Sequence, residues 1–301
     1  MKHLLKILDL EKAEILELLN LADQLKYEQK NGIAHPHLAG KTLAMIFEKA
    51  STRTRVSFEV GMFQLGGHPL FLSSNDLQIG RGEPTVDTAR VLSRYCDGIM
   101  IRTFAQSEVE ELAEYSQIPV INGLTDFAHP CQILADLLTI REYKGSFEGL
   151  KVCFIGDTNN MANSLIVGAL KLGMQFSLAT PDKYQLHPEI TAFIADNPLF
   201  EQTSDVLAAA SQADVVITDV WASMGDEGEA EQRRQDFTGF QINQAVMDAA
   251  KEDAIVLHCL PAHREEEITT AVFEKYADVI FDEAENRLHA QKAVLVKLMG
   301  N

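Results

Sequence analysis

Ser51-Thr52-Arg53-Thr54-Arg55 gathers three hydroxyls and two guanidiniums in five residues. The apolar run Leu43–Phe47 before it reads as a buried strand, and Val56, Phe58, Val60 and Phe63 after it read as an amphipathic helix closed by Gly66-Gly67. A loop at that junction lies where free backbone N–H groups and the helix dipole favour an anion. Hydroxyls add neutral donors there, and guanidiniums add planar forks that match phosphate oxygens. A plain helix cap at Ser51 or Thr52, with solvated arginines, is the alternative reading.

Six other segments carry comparable chemistry. Arg102 ends the run Gly98-Ile-Met-Ile101, at the strand edge where open parallel sheets bind ligands. His129-Pro130-Cys131-Gln132 opens a helix, whose dipole biases His129 toward its neutral form, able to donate one hydrogen bond to a carbonyl oxygen. Gly156-Asp157-Thr158-Asn159-Asn160 and Asp219-Val-Trp-Ala-Ser223-Met224-Gly225 both follow apolar runs. The first offers amides suited to a zwitterionic amino acid, the second a carboxylate followed by a glycine hinge; a capped turn and a polar loop are the alternatives. His258-Cys259-Leu260-Pro261-Ala262-His263-Arg264 places a thiol at a strand end, without the second Cys or His pair that zinc ligation needs. Arg287 opens the last helical pattern, where an arginine gains nothing from the dipole, which hints at an anionic partner.

The elements that must position these groups form two series. Residues 3–31 read as one helix. From 38 to 143, apolar strands at Leu43–Phe47, Pro69–Leu72, Gly98–Ile101 and Pro119–Ile121 alternate with helical patterns. Gly145-Ser-Phe-Glu-Gly149 interrupts, and strands follow at Lys151–Ile155, Gln175–Ala179, Ala213–Thr218, Ala254–Leu257 and Val279–Phe281. Such alternation predicts two α/β domains with parallel sheets, over 1–145 and 146–283. The final helix, about 284–301, is long enough to return to the first domain. Trp221 to Gly239 reads as a mobile polar loop.

Composition narrows the function. The chain has 301 residues and 44 acids against 26 bases, net −18, which argues against nucleic acid or anionic membrane as partner. Such a protein repels anions at long range, but salt screens that field beyond about 8–10 Å, so a local cluster can still bind one. No stretch reaches the roughly 18 apolar residues of a membrane span, and acids arrive too early for a signal peptide. Four cysteines without C-x-x-C spacing fit free thiols in a reducing cytoplasm. Gly156–Asn160 lacks the G-x-G-x-x-G glycines, which argues against a dinucleotide-dependent oxidoreductase.

Taken in this order, from Phe47-Glu-Lys-Ala-Ser-Thr-Arg-Thr-Arg55 to Ala284-Glu-Asn-Arg287, the segments resemble the ornithine carbamoyltransferases, within the aspartate/ornithine carbamoyltransferase superfamily. Ser51–Thr54, Arg102 and His129–Gln132 are similar to the carbamoyl-phosphate motifs of the superfamily. The Ser-Met-Gly loop and the cysteine of His258-Cys-Leu-Pro261 separate the ornithine enzymes from the aspartate ones. The resemblance implies transfer of the carbamoyl group of carbamoyl phosphate to the δ-amine of L-ornithine, giving citrulline and phosphate, without cofactor or metal. It implies a carbamoyl-phosphate set of Ser51, Thr52, Arg53, Thr54, Gln78, Arg102, His129, Gln132, Cys259, Leu260 and Arg287, with Gln78 reaching a neighbouring subunit of a homotrimer. Asn160, Asp219, Ser223 and Met224 are the implied ornithine contacts, and Arg102, His129, Asp219 and Cys259 the implied catalytic groups. The nearest rival is a carbamoyltransferase for putrescine, an acylated ornithine or aspartate. Two departures stand out: Glu265 where many relatives have glycine, and an irregular Gly80-Arg-Gly-Glu-Pro84.

Overall fold

The computed structural model describes residues 1–74, 77, 82–222 and 227–300. Contacts divide the chain into two units, Met1–Leu138 with Glu285–Asn301, and Thr139–Ala284. The boundaries fall inside two long helices, not at the glycine-flanked turn 145–149.

The first unit runs α1 (Lys12–Lys30), β1 (Thr42–Phe47), α2 (Thr52–Gln64), β2 (His68–Ser73), α3 (Thr85–Tyr95), β3 (Gly98–Arg102), α4 (Gln106–Tyr115), β4 (Val120–Leu124) and the start of α5 (Pro130–Lys144). Its strands pair in parallel in the order β2-β1-β3-β4. Because β2 and β3 flank β1 on opposite sides, the chain reverses its winding between β1 and β3. Their carboxyl ends therefore frame a crevice, the usual ligand position in such sheets. Strands β1, β3 and β4 are almost wholly buried, which is why they read as apolar runs, while edge strand β2 is largely exposed.

The second unit contains β5 (Lys151–Ile155), α6 (Asn160–Lys171), β6 (Gln175–Ala179), α7 (Pro188–Ile194), β7 (Phe200–Thr203), α8 (Val206–Ala210), β8 (Val215–Thr218), α9 (Ala230–Asp236), α10 (Gln244–Ala249), β9 (Ile255–His258), α11 (Thr270–Lys275) and the start of α12 (Ala277–Met299). It is parallel too, in the order β7-β6-β5-β8-β9, with its switch point between β5 and β8. After Glu285, α12 packs on the first unit: Lys26 reaches Asn286 (2.8 Å), and Lys292 reaches Gln64 (3.0 Å) and His35 (2.7 Å).

Several sequence expectations are corrected. The expected helix 3–31 is not continuous. Leu4 adds a bridge beside β4 (Leu4 N–H to the Val120 carbonyl, 2.9 Å), a 3-10 turn spans Ile7–Asp9, and α1 begins only after Glu11. A capping box formed by Glu11 and Glu14 closes that start. Val279–Phe281 is helical rather than a strand. Ile280 is buried while Phe281 is 57% exposed, a one-sided pattern that a three-residue apolar run does not reveal. Arg287 consequently lies well inside α12, not in its first turn. Edge strand β7, Phe-Glu-Gln-Thr, is too polar to stand out. Within the expected loop 221–239, Ala230–Asp236 is helical (α9), Trp221 stacks at 6.2 Å on fully buried Phe237, and its indole N–H donates to the Phe240 carbonyl at 3.2 Å.

Helix α2, which carries the anion motif, ends as the sequence predicts. Gly66 adopts φ +78°, its N–H donates to Phe63 (3.0 Å) and that of Gly67 to Met62 (2.8 Å). A Cβ at Gly66 would also lie 3.0 Å from Pro36 Cβ. Gly66→Ala is expected to cost about 1–2 kcal/mol from the left-handed backbone alone. Urea unfolding checks this, and an unchanged or raised midpoint would contradict it.

Candidate active site

In the first unit the candidate residues meet at the β1–β3 crevice. Phe47 pairs with Arg102 across the sheet, so the loop after β1 and the end of β3 are neighbours by register. The Glu48 N–H, next in the chain, donates to the Arg102 carbonyl at 2.9 Å. Ser51 is the cap of α2: its Oγ accepts from the Thr54 N–H at 3.2 Å. The capping and anion readings are thus compatible, since a cap occupies one backbone donor and leaves others at the helix start.

Thr54, Arg102, His129, Gln132 and Arg287 are all buried. Arg287 Nη2 donates to Thr54 Oγ1 at 3.0 Å and Nη1 to Gln132 Oε1 at 2.6 Å. Gln132 Nε2 donates onward to Asp136 at 2.7 Å, which orients that amide. His129 precedes α5, its carbonyl accepting from the Gln132 and Ile133 N–H groups. Burial above all, then the positive charges of Arg287, Arg102 and Arg53, hold its pKa well below the usual histidine value. The imidazole is therefore neutral, as the sequence suggests, though burial and guanidiniums supply the cause. Arg55 stands apart from this group: it pairs with Glu59 (3.0 Å) and lies over the Phe71 ring (3.7 Å).

In the second unit the β5–β8 switch point brings together Asn159, Asn160 and Asp219. Asn159 caps α6, its Oδ1 accepting from the Met161 and Ala162 N–H groups (2.9 and 3.2 Å). Its Nδ2 donates to Asp219 Oδ2 at 2.9 Å. Asp219 Oδ1 accepts from the Val220 N–H (2.8 Å) and from Cys259 Sγ (3.1 Å). This carboxylate is buried, and both its oxygens are aimed. Cys259 follows β9, whose His258 pairs in register with Thr218 of β8.

The His258–Pro261 loop is held from behind. His258 Nδ1 accepts from the Leu260 N–H (2.9 Å), so its Nε2 carries the proton and donates to buried Glu267 (3.0 Å). The His258 N–H donates to Glu283 (2.8 Å). Leu260 lies in the left-handed region at φ +59°, a costly conformation for leucine of the kind that clusters at functional sites. His263, Glu266 and Glu267 form a group able to approach a metal ion, their ligand atoms within 4.8 Å of one another. Glu267 already serves His258 and the His263 N–H, and Glu266 pairs with Arg234 (3.1 Å), so ion pairing accounts for the cluster.

Gln78, Ser223 and Met224 lie outside the described residues. Arg233, on α9, belongs to no motif, yet its Nη1 donates to Asp157 (2.6 Å) and to the Trp221 carbonyl (3.1 Å), tying Trp221 to the turn before Asn159. An arginine in an acidic loop gives no sequence signal of that partner.

Both halves of the chain have counterparts in known proteins. Residues 2–142 match the family model described as aspartate/ornithine carbamoyltransferase, carbamoyl-P binding domain, and residues 148–298 match its Asp/Orn binding domain. The chain is similar to the ornithine carbamoyltransferase of Oceanobacillus iheyensis, 55% identical over 100% of this chain and 95% of that one. That of Anoxybacillus flavithermus is 57% identical over 99% and 96%. Among solved structures, ornithine carbamoyltransferase from Pyrococcus furiosus superposes with a TM-score of 0.95 at 51% identity, covering 100% and 97% of the two chains. The anabolic ornithine carbamoyltransferase from Campylobacter jejuni gives 0.93 at 48%, covering 99% of each. The chain belongs to the aspartate/ornithine carbamoyltransferase family.

Proposed function

We propose that this protein transfers the carbamoyl group of carbamoyl phosphate to the δ-amine of L-ornithine, giving L-citrulline and phosphate. The observation that carries this reading is the buried line Thr54–Arg287–Gln132 beside a neutral His129: guanidinium, hydroxyl and amide donors around an imidazole that brings no charge of its own.

Backbone N–H groups and hydroxyls of Ser51–Thr54, with Arg53 and Arg102, hold the phosphate. Thr54, Arg102 and His129 face the carbonyl oxygen and stabilise the charge that grows there as the amine attacks, an effect worth about 3–4 kcal/mol per donor in other enzymes. Gln132, its amide set by Arg287 and Asp136, orients the carbamoyl NH₂. The Cys259 and Leu260 carbonyls accept from the same NH₂.

On the acceptor side, Asp219 faces the α-ammonium and Asn160 the amino-acid backbone, joined by Ser223 and Met224. The δ-amine has a pKa near lysine's, about 10.4, so it must shed a proton before it attacks. Cys259, hydrogen-bonded to Asp219, positions it for that loss. The new C–N bond forms as the C–O bond to phosphate breaks, and the departing phosphate takes the remaining amine proton. Nucleophile and leaving group both reside in the substrates, so orientation and electrostatics suffice and no cofactor enters.

The assembly we propose is a homotrimer, or a multiple of trimers, in the cytoplasm. Val56, Val60 and Phe63 project from one face of α2, and Leu70 and Phe71 from edge strand β2; Phe63 is 79% exposed, an apolar area suited to a second copy. No helix among the described residues is long and apolar enough to cross a membrane. The Campylobacter relative described as anabolic supports a place in arginine biosynthesis. The test is paired measurement of citrulline and phosphate from carbamoyl phosphate and ornithine, with light scattering on the same sample. Equimolar products from a particle of three subunits, or a multiple, support the proposal; phosphate release without citrulline contradicts it.

A further inference from the structure

Arg287 must present a rigid planar fork to Thr54 and Gln132 at once, so its plane needs an outside reference. Gln291 supplies one. It stands one helical turn further along α12, on the same face, and is fully buried. With its amide oriented as the surrounding donors require, Gln291 Oε1 accepts from Arg287 Nη2 (3.2 Å) and Nε (3.3 Å), while Nε2 donates to Ser57 Oγ (2.6 Å). Ser57 Oγ in turn donates to the Arg53 carbonyl (2.7 Å) and contacts that of Thr54 (3.2 Å). The chain of bonds therefore runs from the guanidinium back to the backbone of the very turn that begins the anion motif.

We propose that Gln291 is a positioning residue for the carbamoyl-phosphate site: through Arg287 on one side and Ser57 on the other it fixes the guanidinium relative to the first turn of α2. This inference rests on the carbamoyl-transfer reading. An amide suits the role because it accepts from the guanidinium and donates to the hydroxyl. A glutamate would accept from Arg287 but offset its charge, and a methionine of similar volume would do neither. A residue that only filled the core would influence folding and leave substrate preference alone.

The experiment is steady-state kinetics with each substrate varied in turn, together with calorimetric binding of inorganic phosphate. Gln291→Met is expected to raise KM for carbamoyl phosphate and Kd for phosphate about tenfold, with KM for ornithine within about twofold. Ser57→Ala keeps the Gln291–Arg287 contact and removes its anchor, so a smaller change in the same direction, about threefold, is expected, including where the methionine variant folds poorly. In an Arg287→Met background, Gln291→Met should add nothing further, because its effect passes through the guanidinium. Equal changes in both KM values, a lowered Tm with phosphate binding intact in both variants, or an undiminished effect without Arg287 would overturn the proposal. Absence of citrulline formation by the unaltered protein would instead overturn the activity reading; phosphate binding still reports on Gln291 in that case.

Discussion

Replacing Asp219 by asparagine is expected to lower kcat/KM for ornithine by about 10²–10³-fold while leaving KM for carbamoyl phosphate within about twofold. Among the described residues three donors are aimed at this carboxylate: the Asn159 amide, the Val220 N–H and the Cys259 thiol. An asparagine has one oxygen and one NH₂, so it must set a donor against a donor on one side. It also removes the negative charge opposite the acceptor's ammonium, and losing one partner of a buried charged pair costs about 2–5 kcal/mol. Steady-state kinetics with each substrate varied separately check this. Equal losses for both substrates would contradict the assignment of Asp219 to the acceptor.

Arg287→Met should act on the other substrate and on pH. Thr54 and Gln132 lose their shared donor, and kcat/KM for carbamoyl phosphate is expected to fall about 10²–10³-fold, the range seen for a lost donor in comparable sites. The second effect concerns His129. Burial is the main reason its pKa is lowered, and the Arg287 charge comes next, ahead of Arg102 and Arg53. Removing that charge raises the His129 pKa, so the acid limb of the kcat profile should move to higher pH. Stability follows the same sign. A buried neutral histidine contributes stability that is fully present above its unfolded pKa, about 6.5, and is lost as pH falls toward the folded value. In the variant that loss spans a narrower pH window. An acid limb that stays in place would argue that His129 does not work as a neutral donor.

How far the sequence discloses this molecule depends on the range of the interaction. Strand–loop–helix junctions are local, so Ser51–Thr54, Arg102, His129, Asn159 and Asp219 could be placed at strand ends from the runs preceding them. The register between Phe47 and Arg102, and between Ile155 and Thr218, is what gathers them, and no local pattern carries strand order. Single-sided burial misleads over short runs, as Val279–Phe281 does. Polar composition likewise hides the helix Ala230–Asp236 and the Trp221–Phe237 stack.

Glu265 illustrates a departure that the sequence exposes and the structure explains. Its backbone adopts φ +68°, the left-handed region where glycine is favoured. The carboxylate Oε1 accepts from the Thr270 N–H at 2.8 Å, a contact glycine lacks, which helps hold the turn after His263. Other residues give no sequence signal at all. Glu267 and Arg233 meet partners on other segments, and Gln291 joins Arg287 on its own helix to Ser57 on α2, contacts that only the fold brings about.

The central claim concerns the acceptor, and one measurement reaches it most directly: kcat/KM for carbamoyl transfer to ornithine, putrescine, N-acetylornithine and aspartate at saturating carbamoyl phosphate. An aimed Asp219 carboxylate beside Asn160 predicts ornithine ahead of every other amine, with N-acetylornithine weakened because its α-nitrogen carries no charge. A higher kcat/KM for any acceptor other than ornithine would contradict the account.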